Sequence, residues 1–168
     1  MRMSEVASRA GAEVETLECE WGEAVDPKAV EEILANQSDI KMLAFVHAET
    51  STGVGSDAKT LCAIAQKYDC LSIVDAVTSL GGTELKVDEW GIDAIYSGTQ
   101  KCLSCIPGLS PVSFSTKAVE KIKSKTSKNF SWFLDLTLVM DYWGENAKRT
   151  YHHTAPVNSL YALHESLL

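Results

Sequence analysis

Three short apolar runs, Met42 to His47, Leu71 to Val74 and Asp93 to Tyr96, constrain this chain more than any other feature. Each has the length of a strand. The first is a continuous apolar run without the alternation of a half-solvated sheet, which is the pattern of a strand covered on both faces. Between the first two lies a helical stretch, in which Ser56 or Asp57 serves as cap and Leu61, Ile64, Ala65 and Tyr68 fall on one face. Strands separated by helices of about ten residues call for right-handed crossovers. The expected fold is therefore α/β, a mostly parallel sheet with helices on both faces. Pro111 to Phe114 reads as a further short strand, an antiparallel neighbour of the run before it.

The flanking segments follow the same logic. Ser4 is placed to cap a short helix carrying Val6, Ala7 and Ala10 and closed by Gly11, after which Val14 to Leu17 reads as a strand. Asp26-Pro27 opens the next helix, an acid cap before a proline in the first turn, with Val30, Ile33 and Leu34 as its buried stripe. The lysines from Lys117 to Lys128 alternate with Val119 and Ile122 at helical spacing, as on a solvated helix face. Trp132, Leu136, Val139, Met140 and Trp143 are spaced for a helix whose aromatics serve a core or a subunit contact. The last helical pattern, from Pro156 to His164, runs to Leu168 without a terminating Gly or Asn, so a chain interrupted in mid-element is expected.

Length suits a single domain, spanning 1–168. A net charge of −8 argues against general affinity for nucleic acid or anionic membrane, both of which require clustered Lys and Arg. The longest uncharged run, Cys102 to Thr116, is broken by Pro107 and Pro111 and is too short to span a bilayer. Five cysteines at irregular positions make no disulfide framework and fit a reducing compartment. Met1 to Glu5 has neither a secretory core nor the character of a transit peptide. The expectation is a soluble intracellular protein, cytoplasmic in a prokaryote and compatible with peroxisome or mitochondrion in a eukaryote.

In an open α/β sheet, ligands sit beyond the carboxyl ends of the strands. Three polar loops meet that edge here: His47 to Gly53, Asp75 to Ser79, and Ser97 to Lys101. Asp75 ends one run and Lys101 lies just past the next. An acid and an amine at one edge are what pyridoxal phosphate needs, an anion for its pyridinium nitrogen and an amine for its aldehyde. On the residues alone, the blander reading leads, with Lys101 one of twelve lysines on a surface and Asp75 a helix cap. Cys102 and Cys105 form a C-x-x-C with no second pair and no thioredoxin-like setting, so no metal or redox role is assigned. His152 and His153 are adjacent, are expected to point apart, lack a suitably spaced third ligand and are read as structural. Gly53-Val54-Gly55 and Gly81-Gly82 lack the G-x-G-x-x-G spacing of a dinucleotide site.

Four ordered segments sharpen this reading: His47-Ala48-Glu49-Thr50-Ser51-Thr52-Gly53, Val74-Asp75-Ala76-Val77-Thr78-Ser79-Leu80-Gly81-Gly82, Tyr96-Ser97-Gly98-Thr99-Gln100-Lys101 and Tyr151-His152-His153-Thr154. Together they closely resemble the class V aminotransferases, within these the alanine–glyoxylate and serine–pyruvate group. The likeness extends over nearly the whole chain, through Asp88-Glu89-Trp90-Gly91-Ile92-Asp93 and Tyr142-Trp143-Gly144. The resemblance implies the central part of the large domain of a fold-type I pyridoxal-phosphate enzyme. It implies that Lys101 is the imine lysine, Asp75 the pyridinium partner and Val77 the apolar contact on one ring face. Thr50 would stand near the ring hydroxyl, where the family usually has serine, and Gln100 would bind phosphate. Tyr151 and Thr154 would reach the phosphate of the neighbouring subunit's cofactor, which implies a homodimer with shared sites. The implied substrates are an amino acid, alanine or serine, and a 2-oxo acid, glyoxylate or pyruvate.

Members of that family are more than twice as long. Their upstream phosphate cradle and stacking aromatic, and the downstream arginine that grips the substrate carboxylate, have no counterpart here, and Arg149 suits a subunit contact better. Transamination is therefore expected of a full-length protein. The alternatives are another class V enzyme, such as a cysteine desulfurase or a kynureninase-like hydrolase, or an inactive truncated domain that associates with its parent. Desulfurases typically have a histidine before the lysine, where this chain has Gln100.

Overall fold

Strands β1 (Met42–Val46), β2 (Leu71–Asp75) and β3 (Ala94–Tyr96) lie parallel, and β4 (Val112–Phe114) joins β3 antiparallel, in the order β1-β2-β3-β4. The computed structural model describes residues 2–143 and 150–168. Among the described residues the helices are α1 (Arg2–Arg9), α2 (Pro27–Asn36), α3 (Ala58–Lys67), α4 (Thr116–Lys123), α5 (Leu136–Trp143) and α6 (Val157–Ser166). The mostly parallel sheet and its antiparallel last strand agree with the sequence reading.

Register sorts the two faces of the sheet. Phe45, Val74 and Ile95 are direct neighbours across β1, β2 and β3, and all three are buried. They form one core with Val30 and Leu34 of α2 and Leu61, Ile64 and Ala65 of α3. Both helices start where a side chain can satisfy free backbone N–H groups. Asp26 accepts from the Lys28 N–H at 2.9 Å with Pro27 in the first turn, and Asp57, rather than Ser56, accepts from the Thr60 N–H at 3.0 Å. On the other face, Ala44, Ile73, Ala94 and Phe114 are in register. There α4 and the start of α5 border a cavity of about 670 Å³ lined by Met42, Ile73, Phe114, Ala118 and Leu136.

One buried carboxylate ties the amino-terminal edge together. Asp93 accepts from the Ser72 N–H at 3.0 Å and from the Ser115 hydroxyl at 2.7 Å, while its own N–H donates to Ser72 Oγ at 2.9 Å. These bonds join the approach to β3 with β2 and with the cap of α4. Removing the carboxylate strands a buried backbone N–H. Asp93→Ala is expected to cost about 3 kcal/mol of unfolding free energy in denaturant titration, and a loss under about 1 kcal/mol would show the network to be dispensable.

Several local expectations are corrected. Helix α1 begins at Arg2, so Ser4 lies inside it and is not its cap, although Gly11 follows its end at φ 91°. Val14 to Leu17 forms no strand; among the described residues it has no laddering partner, and Val14 and Leu17 stand exposed. Between β2 and β3 the chain turns repeatedly instead of forming a helix, and Leu80, Leu85, Val87 and Trp90 of that loop pack on the core in a helix's place. Helix α4 stops at Lys123, leaving Lys125 and Lys128 beyond it. Helix α5 starts at Leu136 because Asp135 caps it, accepting from the Thr137 N–H at 3.0 Å, and Trp132 lies ahead of the helix.

Candidate active site

Because β1, β2 and β3 are parallel, the loops that follow them emerge at one edge. They are also tied to one another. The Thr78 hydroxyl donates to the Ala48 carbonyl at 2.6 Å, joining the loop after β2 to the loop after β1. The Thr78 carbonyl accepts from Cys102 Sγ at 3.4 Å, joining it to the loop after β3. A Cβ added to Gly82 would lie 2.6 Å from Cys102 Sγ, so the close approach of these two loops needs a glycine there.

Asp75, the last residue of β2, is half-buried and held at both oxygens. Its Oδ1 accepts from the Val77 N–H at 2.9 Å and its Oδ2 from the Tyr96 hydroxyl at 2.7 Å. Tyr96 ends β3 and is the registered neighbour of Asp75. Burial, then the hydrogen bond to Asp75 and its charge, push the Tyr96 phenol far above its ordinary value. Beneath this edge His47 is buried, with Nδ1 3.0 Å from Ser79 Oγ and its ring edge-on to Trp90. Burial pushes its imidazole below the ordinary value, which keeps it neutral at pH 7.

Lys101 is presented on a turn built over a buried anchor. Thr99 is fully buried, donating its hydroxyl to the Ile106 carbonyl at 2.7 Å and accepting at its own carbonyl from the Cys105 N–H at 3.0 Å. The Lys101 N–H reaches the Gly98 carbonyl at 3.3 Å, and Gln100 and Lys101 project exposed from this turn. Thr50 is exposed on the loop after β1, where the Ser51 hydroxyl and N–H bind Glu49 Oε1 at 2.7 and 3.0 Å and hold that carboxyl below its usual value. Val77 sits half-buried beside Asp75. The strand-edge loops thus gather Thr50, Asp75, Val77, Gln100 and Lys101.

Tyr151 and Thr154 lie elsewhere in the hydrogen bonding. Both are exposed, and their hydroxyls bond to each other at 2.9 Å, not to the strand-edge loops. His152 is buried, stacked on Trp132 with ring centroids 4.2 Å apart. The expectation that His152 and His153 point apart is overturned, since their Nδ1 atoms are 2.8 Å apart. The segment is irregular there, so the side-chain alternation of a strand does not apply. Arg149 and Gly144 lie outside the described residues.

Sequence reasoning did not single out Tyr96, Thr78 or Thr99. Register would have found Tyr96, because the last residues of two paired parallel strands become neighbours. Chemically, the edge offers a fixed anion, an exposed primary amine and several hydroxyl and amide groups on three mutually tied loops. That is the layout of a ligand-binding α/β domain, with the site at the carboxyl ends of the strands.

The description "Aminotransferase class-V" belongs to a family model that matches residues 1–168, and the chain is a member of that family. It is 42% identical over 167 residues to the alanine–glyoxylate aminotransferase of Oryctolagus cuniculus, covering 99% of this chain and 42% of that protein. It is 38% identical over 185 residues to the (S)-ureidoglycine–glyoxylate transaminase of Bacillus subtilis, covering 98% of this chain and 43% of that protein. The crystal structure of the alanine–glyoxylate aminotransferase from Nostoc sp. superposes with a TM-score of 0.93 at 42% identity, over 99% of this chain and 43% of the other. The chain therefore spans about two fifths of the length of these relatives. Among the described residues no helix is long and apolar enough to cross a membrane.

Proposed function

We propose that this chain is part of the cofactor-binding large domain of a pyridoxal-phosphate-dependent aminotransferase, which moves an amino group from alanine or serine to glyoxylate or pyruvate. The observation that carries this reading is the strand-edge pair: Asp75 fixed at both oxygens, and the Lys101 turn tied to the loop after Asp75 through Cys102 and Thr78. The donor set fits the cofactor by its chemistry. Asp75 retains free acceptor positions for a ring N–H, Lys101 offers an amine to an aldehyde, and Gln100 offers an amide donor to phosphate.

When bound, pyridoxal phosphate supplies the electron sink that makes an amino acid's α-proton removable. The chain's own groups do the rest. Lys101 Nζ would hold the cofactor's aldehyde at rest and, once freed by the substrate, would accept the substrate's α-proton and hand it back. Asp75 would face the ring nitrogen with its charge, Val77 would pack on one ring face, and the Thr50 hydroxyl would serve the ring hydroxyl. Tyr151 and Thr154, already paired with each other, serve the phosphate in the partner subunit's site, so the active protein is a homodimer. Exposed Phe130, Trp132, Trp143 and Tyr161 supply apolar surface for such an interface.

Glyoxylate recurs in the names of relatives whose amino donors differ, which favours glyoxylate as acceptor. The test is an assay of the complete gene product with pyridoxal phosphate. Pyruvate formation from alanine plus glyoxylate is expected, dependent on the cofactor. Sulfide release from cysteine without transamination would contradict the reading and favour a desulfurase.

A further inference from the structure

Tyr96 Oη stands 2.7 Å from Asp75 Oδ2, and parallel register makes the two residues direct neighbours at the ends of β3 and β2. The phenol is the donor: partial burial and the facing carboxylate both oppose loss of its proton. A carboxylate has about four acceptor positions. The Val77 N–H and the Tyr96 hydroxyl use one on each oxygen, which locks the group's rotation and leaves the others for a ligand.

We propose that Tyr96 is a positioning residue for the cofactor's ring nitrogen: its hydroxyl holds the Asp75 carboxylate in place and stabilises its charge, so that the proton shared with the cofactor rests on the ring nitrogen and not on Asp75. This rests on the cofactor reading above and assigns a role to a residue that does not itself touch the cofactor. The physical basis is that a hydrogen bond to an ionised acceptor is about twice as strong as one to a neutral acceptor. The Tyr96 bond therefore favours the arrangement in which Asp75 is charged and the ring is cationic, which is also the arrangement with the stronger electron sink. A tyrosine that only packed on the sheet face would do so equally well without its hydroxyl.

Two variants of the complete gene product, loaded with ring-¹⁵N pyridoxal phosphate, test this. Tyr96→Phe keeps the ring and removes the donor. It should weaken cofactor affinity about tenfold, the scale of one lost hydrogen bond to a charged group. The ring-nitrogen resonance should also move toward the position of neutral pyridine. Replacing Tyr96 with 3-fluorotyrosine makes the hydroxyl a stronger donor and should move the resonance the opposite way. An unmoved resonance in both proteins overturns the proposal. If Tyr96→Phe does not fold, the fluorotyrosine protein decides alone, a shift away from neutral pyridine supporting the role and no shift overturning it. If the parent protein shows no visible cofactor band, the cofactor reading fails and this role with it. A parent that has the band but whose ring nitrogen ignores Tyr96 removes the Tyr96 role only.

Discussion

Replacing Lys101 with alanine is expected to abolish the visible imine band of the cofactor-loaded protein and to lower transamination by at least about 10³-fold, since the proposed function has one side chain both tether the cofactor and move the α-proton. The fold should be unaffected. Lys101 is exposed, makes no side-chain hydrogen bond or ion pair among the described residues, and sits on a turn held by backbone bonds and by buried Thr99. Circular dichroism and melting of Lys101→Ala should therefore match the parent, while stopped assays of pyruvate formation show the loss. Activity within about tenfold of the parent would remove Lys101 from the chemistry, because a positioned proton-transfer group contributes more than that.

The second large effect is expected at Asp75. Asp75→Asn preserves shape and hydrogen bonding: the amide oxygen accepts from the Val77 N–H, and the amide nitrogen donates to Tyr96, whose hydroxyl turns to accept. What is lost is the negative charge proposed to face the ring nitrogen. At saturating cofactor kcat should fall about 10²- to 10³-fold, the scale of removing one preorganised electrostatic partner. The visible band should persist because Lys101 remains. That combination, cofactor bound and turnover lost, separates a role at the ring nitrogen from one in folding. A kcat within about threefold of the parent would contradict the role, since an electrostatic partner of this kind is worth far more.

Features encoded in neighbouring residues were legible before the fold was seen. A continuous apolar run of strand length predicted β1, an acid before a proline predicted the start of α2, and a cap at Ser56 or Asp57 ahead of Leu61, Ile64 and Ala65 predicted α3. The placement of Asp75, at the end of β2, and of Lys101, in the loop after β3, at one edge followed from parallel strands alone. Features set by distant partners were not legible. Val14 to Leu17 has strand-like composition, but strand formation depends on a neighbour to pair with, and among the described residues the segment joins no ladder. The Tyr96 to Asp75 bond and the Thr78 ties join loops whose spacing depends on register and on the course of the β2–β3 connection. That connection covers the core with Leu85, Val87 and Trp90 in successive turns, a pattern without the period of a helix. The meeting of His152 and His153 likewise depends on a backbone path that no local pattern signals.

The central claim is that Lys101 is the lysine bonded to the cofactor. Borohydride reduction of the complete gene product after incubation with pyridoxal phosphate, followed by protease digestion and peptide mass spectrometry, tests it most directly. A phosphopyridoxyl group on Lys101, and on no other lysine at stoichiometric occupancy, is the predicted result. Stoichiometric label on a different lysine, or none on Lys101, would contradict it.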